Sequence, residues 1–302
     1  MALTAWARCP GTCGEWVQGA QSGVPFLVDC PIDRYAEAVV EMGKDDGIWL
    51  VPREKEKVRK ALLLMREERS FSGGGILRFR RELPTGKGMA SSTADIVSAC
   101  AAVAAASGET VSGRSLARWA FGIEPSDSVM FPGLTEINHI RGSYHRTLGA
   151  AVPAGFLALD WGGEVDTLRF NARADLYGHY RKYEFTIGKA LALVREGIRG
   201  RDLEKMAAGS TLSAACNLEV NPKPWFGQFK AWVRSQGGLG LVTAHSGTLI
   251  AGVFPPDYAL DGLLAEAKER FRPVFAETFR ARDGGVEYAF AHCGQAVSSS
   301  EG

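Results

Sequence analysis

The chain has 302 residues, with 35 Lys+Arg against 34 Asp+Glu and a formal net charge of +1. That length suits about two domains with a core that needs no covalent staples. The balanced charge excludes the strongly basic field of a nucleic-acid binder, and 46% hydrophobic with 23% charged residues is a globular composition.

Residues 3–8 alternate weakly and lead into Cys9-Pro-Gly-Thr-Cys-Gly-Glu-Trp-Val-Gln-Gly19, which reads as a short strand, a tight turn and a second strand. Val24–Val28 and Tyr35–Met42 are strand-like, the latter alternating apolar and charged residues. Pro52–Ser70 carries leucines at helical spacing among Lys, Arg and Glu, the pattern of an exposed amphipathic helix. After Gly73-Gly-Gly75 come a strand, Ile76–Arg80, and a Gly/Ser loop that feeds an Ala-rich helix ending near Ala106. Ser115–Phe121 reads as a helix, and Gly142–Leu148 and Gly155–Trp161 as strands. Helices are expected over Tyr180–Glu196, Asp202–Ala215, Trp225–Ser235 and Leu260–Phe271. Strands are expected over Leu239–Thr243, Leu249–Phe254, Val274–Arg280 and Val286–Ala291. This mixed order predicts an α+β protein, divided at residue 152 into segments 1–152 and 153–302.

The six cysteines form no Cys-x-x-Cys pair, so reduced thiols and a cytoplasmic location are expected. No apolar run is long enough for a membrane span, and Met1–Arg8 lacks the pattern of a secretory leader. No nucleic-acid or membrane partner is expected, and the chain is read as a monomer or homodimer.

The most informative stretch is Leu83-Pro-Thr-Gly-Lys-Gly-Met-Ala-Ser-Ser-Thr-Ala-Asp95. Glycines, a lysine, hydroxyls and a helix N-terminus in that order can cradle phosphate, because unpaired N–H groups and the helix dipole favour an anion. It is not a Walker A loop, since Gly86-Lys87 is followed by Gly88 rather than Ser or Thr. It is not a Rossmann loop, since Ser91 stands at the third glycine. The bland reading is an N-cap, with Ser92-Thr-Ala-Asp95 at capping-box spacing.

Three segments in this order, an N-terminal Pro-Gly turn with Gly14-Glu15, the Gly/Ser loop after Pro84 and the late Ser246-Gly247, resemble the GHMP kinase superfamily. Together with Ile123-Glu-Pro-Ser-Asp-Ser128 and Ala244-His-Ser-Gly247, they look like the L-threonine kinases of cobalamin synthesis. The resemblance implies a two-domain GHMP kinase fold, with a ribosomal protein S5 domain 2-like N-terminal domain and a ferredoxin-like C-terminal domain. It implies ATP and Mg²⁺, L-threonine as the phosphate acceptor and O-phospho-L-threonine as product. Pro84, Thr85, Gly86, Lys87, Gly88, Met89, Ala90, Ser91, Ser92 and Thr93 would then wrap the nucleotide. Ser91 and Glu124 would hold the metal, and Asp127 would face the acceptor hydroxyl. Glu15, Asp33, Asp127, His245, Ser246 and Gly247 are the candidates for the acceptor site, with Arg34, Arg141 and the N–H groups near Gly247 as anchors for its carboxylate.

Three positions depart from the wider superfamily. Thr12 stands where several relatives have a lysine, Met89-Ala90 stands where Leu-Gly is usual, and Gly247 is single. His245-Ser246 lacks the Gly-x-Ser-x-Gly elbow of a hydrolase. His139, His145, His179 and His292 have no metal-site spacing. The competing functions are a GHMP kinase for another small alcohol, such as homoserine, and an inactive GHMP-fold regulator that binds ligand without turnover.

Overall fold

The computed structural model describes residues 4–43, 49–69 and 74–291. Its first two strands are long: β1 (Thr4–Gln21) and β2 (Val24–Met42) pair antiparallel around Ser22-Gly23. Both turn residues take positive φ, 51° and 76°, the handedness that suits the twist of a two-residue hairpin. The expected tight turn at Pro10-Gly11 does not form. Instead β1 runs on through register shifts at Pro10/Thr12, Thr12/Glu15 and Glu15/Val17. Proline withholds a donor and the glycines allow bulging, so the strand bends without reversing.

The next elements are β3 (Trp49–Leu50), α1 (Glu56–Arg69), β4 (Gly75–Arg81), α2 (Ser91–Ala106) and α3 (Gly113–Phe121). After them come β5 (Leu134–Ile137), β6 (His145–Gly149), β7 (Gly155–Asp160), α4 (Thr167–Asn171), α5 (Asp175–Gly200) and α6 (Leu203–Asn217). The chain continues through α7 (Phe226–Ser235), β8 (Gly240–Thr243), β9 (Ile250–Phe254), α8 (Asp261–Phe271), β10 (Phe275–Arg280) and β11 (Glu287–Ala291). The α+β expectation holds. Sequence reading passed over β3, β5 and α4. The four residues of β5 show no period and include Glu136, yet β2 and β6 supply their ladder. The single turn of α4 rests on the Asp166 carboxylate, which accepts from Arg169 N at 3.0 Å.

The sheet order is β10-β7-β9-β8-β1-β2-β4-β3, with β11 added to β1 and the β5–β6 hairpin to β2. Strand β1 joins the halves: Thr4–Arg8 pairs with β11, and Glu15 bridges to Thr243 of β8. From Thr93 onward every residue of α2 is buried, packed on a sheet face of Ala5, Ala7, Ala36 and Ala38. Small side chains on both surfaces bring helix and sheet close, which sets the α2 N-terminus against β1. A second core gathers Trp16, Phe26, Phe156 and Phe279 under α5 and α6. Each such aromatic contributes about 1.5–3 kcal/mol by burial. No helix among the described residues is long and apolar enough to cross a membrane.

Candidate active site

The loop before α2 is held by its carbonyls. Gly86 O accepts from Val165 N, Lys87 O from Thr248 N and Leu249 N, Gly88 O from Gly14 N and Thr12 Oγ1, and Met89 O from Thr12 N, at 3.1–3.3 Å. With those four oxygens turned into the protein, no N–H of Gly86–Ala90 has a partner among the described residues. A run of free donors leading into a helix N-terminus is an anion site by construction. Close approach requires the glycines. A Cβ on Gly88 would lie 2.1 Å from Ala244 Cβ, and one on Gly247 would lie 2.4 Å from Gly88 N. The late Ser-Gly loop is therefore packed directly on the phosphate-type loop.

Ala90 enters α2 in the left-handed region, with φ 56°. A Cβ there costs about 1–2 kcal/mol, which explains why a glycine is usual at this place. The expected capping box is absent. Ser92 is the second residue of the helix rather than its cap, and Asp95 instead binds Lys55 Nζ at 2.6 Å. The hydroxyls of the first turn serve the loop after α3. Ser92 Oγ donates to Glu124 Oε1, and Lys57 Nζ sits 2.6 Å from Glu124 Oε2. Thr93 Oγ1 donates to Asp127 Oδ2 at 2.9 Å and accepts from Asp127 N at 3.2 Å. Glu124 thus meets Ser92, one position beyond Ser91, whose hydroxyl has no partner among the described residues.

Glu15 is buried and braced. Its Oε2 accepts from His245 N at 2.7 Å and lies 2.9 Å from His245 Nδ1, while His245 Nε2 is 2.8 Å from Ser213 Oγ. This chain of acid, imidazole and hydroxyl has the connectivity of a hydrolytic triad. However, Ser213 is 1% exposed and its Oγ accepts from Gln18 N, so it locks Glu15 and offers no nucleophile. Asn221 and Lys223 donate to Gly247 O at 2.8 and 2.5 Å, and burial pulls the Lys223 ammonium down to about 7.

Carboxylate oxygens of Glu15, Asp29 and Asp127 all lie within 4.8 Å of one another. Burial above all, with the Glu15 charge second, raises the Asp127 carboxyl to about 7, against the Thr93 hydrogen bond that lowers it. Burial and the Asp127 charge push Asp29 well above the usual carboxylate range. Asp29 was missed in the sequence reading. Its signal is an acidic residue inside the apolar run Phe26-Leu-Val-Asp29.

Other sequence candidates lie apart from this cluster. Asp33 accepts from Arg280 N at 2.9 Å, and Arg34 pairs with Glu277. Arg141 lines a separate crevice of about 640 Å³ with Arg114, Phe131 and His145. The Lys87 ammonium is directed to Asp160 at 2.7 Å and to Gly163 O at 2.9 Å, so its backbone rather than its charge serves the loop. Burial drives His139 down to about 3 and the Cys13 thiol up, leaving a neutral imidazole and no thiolate. His292 lies outside the described residues.

Residues 56–131 match the family model for the GHMP kinases N terminal domain. The chain is 30% identical to the L-threonine kinase of Salmonella typhimurium, over 87% of this chain and 89% of that protein. It is 28% identical to the L-threonine kinase of Citrobacter freundii, over 82% and 85% respectively. Among solved structures it is similar to the homoserine kinase of Cytophaga hutchinsonii, with a TM-score of 0.71 and 14% identity over 95% of this chain and 97% of that one. At that identity the likeness speaks for the fold alone.

Proposed function

The chain belongs to the GHMP kinases, as a kinase of the L-threonine kinase type, and on that premise we propose that it transfers the γ-phosphoryl group of ATP to the side-chain hydroxyl of L-threonine. The product, O-phospho-L-threonine, would serve cobalamin synthesis in the cytoplasm. In this reading segment 1–152 carries the nucleotide and 153–302 closes the acceptor side.

The observation that carries the reading is the run of unpaired donors from Gly86 to Ala90, set beside two carboxylates that rest on the first-turn hydroxyls of α2. The donors would hold the triphosphate without a side-chain charge, with Gly247 packed beneath them. Glu124 and Ser92, with Ser91 adjacent, offer the hard oxygen ligands that Mg²⁺ prefers, so the residues present fit that ion. When bound, Mg²⁺ would neutralise phosphate charge.

Asp127 faces the acceptor hydroxyl in this assignment, and Thr93 fixes its carboxylate from the helix. A carboxyl raised to about 7 is half ionised near neutral pH and takes a proton more readily than an ordinary aspartate. Because phosphoryl transfer depends chiefly on positioning and charge neutralisation, this base acts late, as the hydroxyl proton leaves. Thr12, in the place of the superfamily lysine, donates to Gly88 O and shapes the loop instead of supplying a charge.

The test is ADP release with L-threonine, D-threonine, L-serine and L-homoserine as acceptors, with the phosphorylated product identified by phosphorus NMR. L-Threonine should give the highest kcat/KM. A faster reaction with L-homoserine, or no acceptor-dependent ADP release by folded protein, would overturn the assignment.

A further inference from the structure

Asp29, Glu15 and Thr243 stand in one row across the sheet. Glu15 is paired in register with Asp29 on β2 and with Thr243 on β8, and directly paired residues present their side chains to the same sheet face. Asp127 closes the row from the loop after α3, tied to it through Ser128, whose N and Oγ both donate to Asp29 Oδ2. Two oxygens in this row are fully buried and have no hydrogen-bond partner among the described residues: Asp29 Oδ1 and Thr243 Oγ1. Asp29 is 1% exposed and Thr243 0%.

The charges do not balance locally. Lys57 answers Glu124, and Lys87 answers Asp160, but no Lys or Arg among the described residues pairs with Glu15, Asp29 or Asp127. Among the described residues Glu15 pairs directly with His245 alone, and the Lys223 ammonium acts on it through space without touching it. A buried carboxylate with an unused oxygen, beside two further carboxylates, is costly unless it holds a proton or a cation enters, and an arriving cation favours the ionised form. An amino-acid acceptor brings such a cation, and in a β-hydroxy amino acid the ammonium sits on the carbon next to the hydroxyl-bearing one. One group reaching Asp127 therefore places the other within the span of this cluster.

We propose that Asp29 receives the α-ammonium of the acceptor while Asp127 receives its hydroxyl, so that the Asp29–Asp127 pair selects vicinal amino alcohols. The proposal rests on the reading of the acceptor as L-threonine and adds the residue that recognises it. Ser128 holds Asp29 with one oxygen and leaves the other free for the ligand. The acceptor carboxylate is not needed for this grip.

The experiment compares L-threonine, 1-amino-2-propanol, which lacks the carboxylate, and 3-hydroxybutyrate, which lacks the amine, in the wild type and in Asp29→Asn. The wild type should turn over the amino alcohol and reject the hydroxy acid. Loss of a charge-assisted hydrogen bond should raise KM for L-threonine about 10- to 100-fold in Asp29→Asn, with KM for ATP unchanged and kcat altered far less. The asparagine keeps an acceptor for Ser128, and a thermal melt checks the fold. An unchanged KM for L-threonine in the folded variant overturns the proposal, as does a shift only in the Mg²⁺ activation constant. Wild-type turnover of 3-hydroxybutyrate matching that of L-threonine overturns it without any variant. Failure of the wild type on L-threonine, with turnover of another vicinal amino alcohol, would instead strike the substrate assignment and leave Asp29 testable on that acceptor.

Discussion

Two sets of carboxylates flank the first turn of α2 and are treated differently. Glu124 is neutralised within the protein: Lys57 takes one oxygen and Ser92 the other. Asp127, Glu15 and Asp29 share a narrower space and have no lysine or arginine partner among the described residues. The first arrangement gives a carboxylate beside the phosphate loop two fixed partners. In the second, burial first and mutual repulsion second lift the Asp127 and Asp29 carboxyls, which suits a group that must take a proton and leaves its neighbour to be charged when a cation arrives.

That difference can be broken from the Asp127 side first. Asp127→Asn should lower kcat about 10²- to 10⁴-fold while ATP affinity, read by calorimetry, is retained. The same variant should melt a few degrees higher at neutral pH, because a buried, repelled charge has been removed. Glu124→Gln should lower turnover about 100-fold and raise the Mg²⁺ concentration needed for half-maximal rate, with no gain in melting temperature, since Lys57 loses its partner.

The raised carboxyl also fixes the pH response. The ionised form of Asp127 accepts the proton, so kcat/KM should rise with pH through about 7 and fall roughly tenfold per unit below it. For stability the sign is opposite. A carboxyl whose folded pKa exceeds its unfolded value favours folding while protonated, so its contribution is full below about pH 4 and is lost as pH rises through about 7. Denaturant melts across that range, compared between the wild type and Asp127→Asn, isolate this contribution.

Smaller effects sharpen the loop side. Gly88→Ala places a Cβ against Ala244 at a position with φ +82°, so it should cost about 1–3 kcal/mol of stability and raise KM for ATP more than KM for L-threonine. Ser213→Ala frees His245 Nε2 and should cost about 1 kcal/mol, with at most a few-fold change in KM for L-threonine, because it loosens Glu15 without removing it.

Much of this site was legible along the chain. The Gly/Ser loop and the Ala-rich helix after it were legible from local spacing, whereas Glu124 and Asp127 were singled out by the resemblance to the GHMP kinases. Glu15 and Gly247 stood out within the motifs that carry the resemblance, but the partners that give them meaning did not. His245 is 230 positions from Glu15, and Ser128 is 99 from Asp29. The capping box failed for a local reason of a different kind. Ala90 adopts a left-handed turn, so the helix starts one residue before Ser92, and Ser92 is free to meet Glu124.

Periodicity and composition by themselves determined the helices other than α4, most of the strands, the α+β class and the place where an anion would rest, because each depends on neighbours within a few residues. Only the tertiary structure decided which carboxylates share a space, which of them are neutralised, and that β1 bends through bulges instead of turning back. Those outcomes depend on strands β2 and β8 meeting β1 at Glu15, and on α2 packing alanine against alanine close to the sheet. Charges distant in sequence are thereby brought into one desolvated volume, where their interactions outweigh local preference.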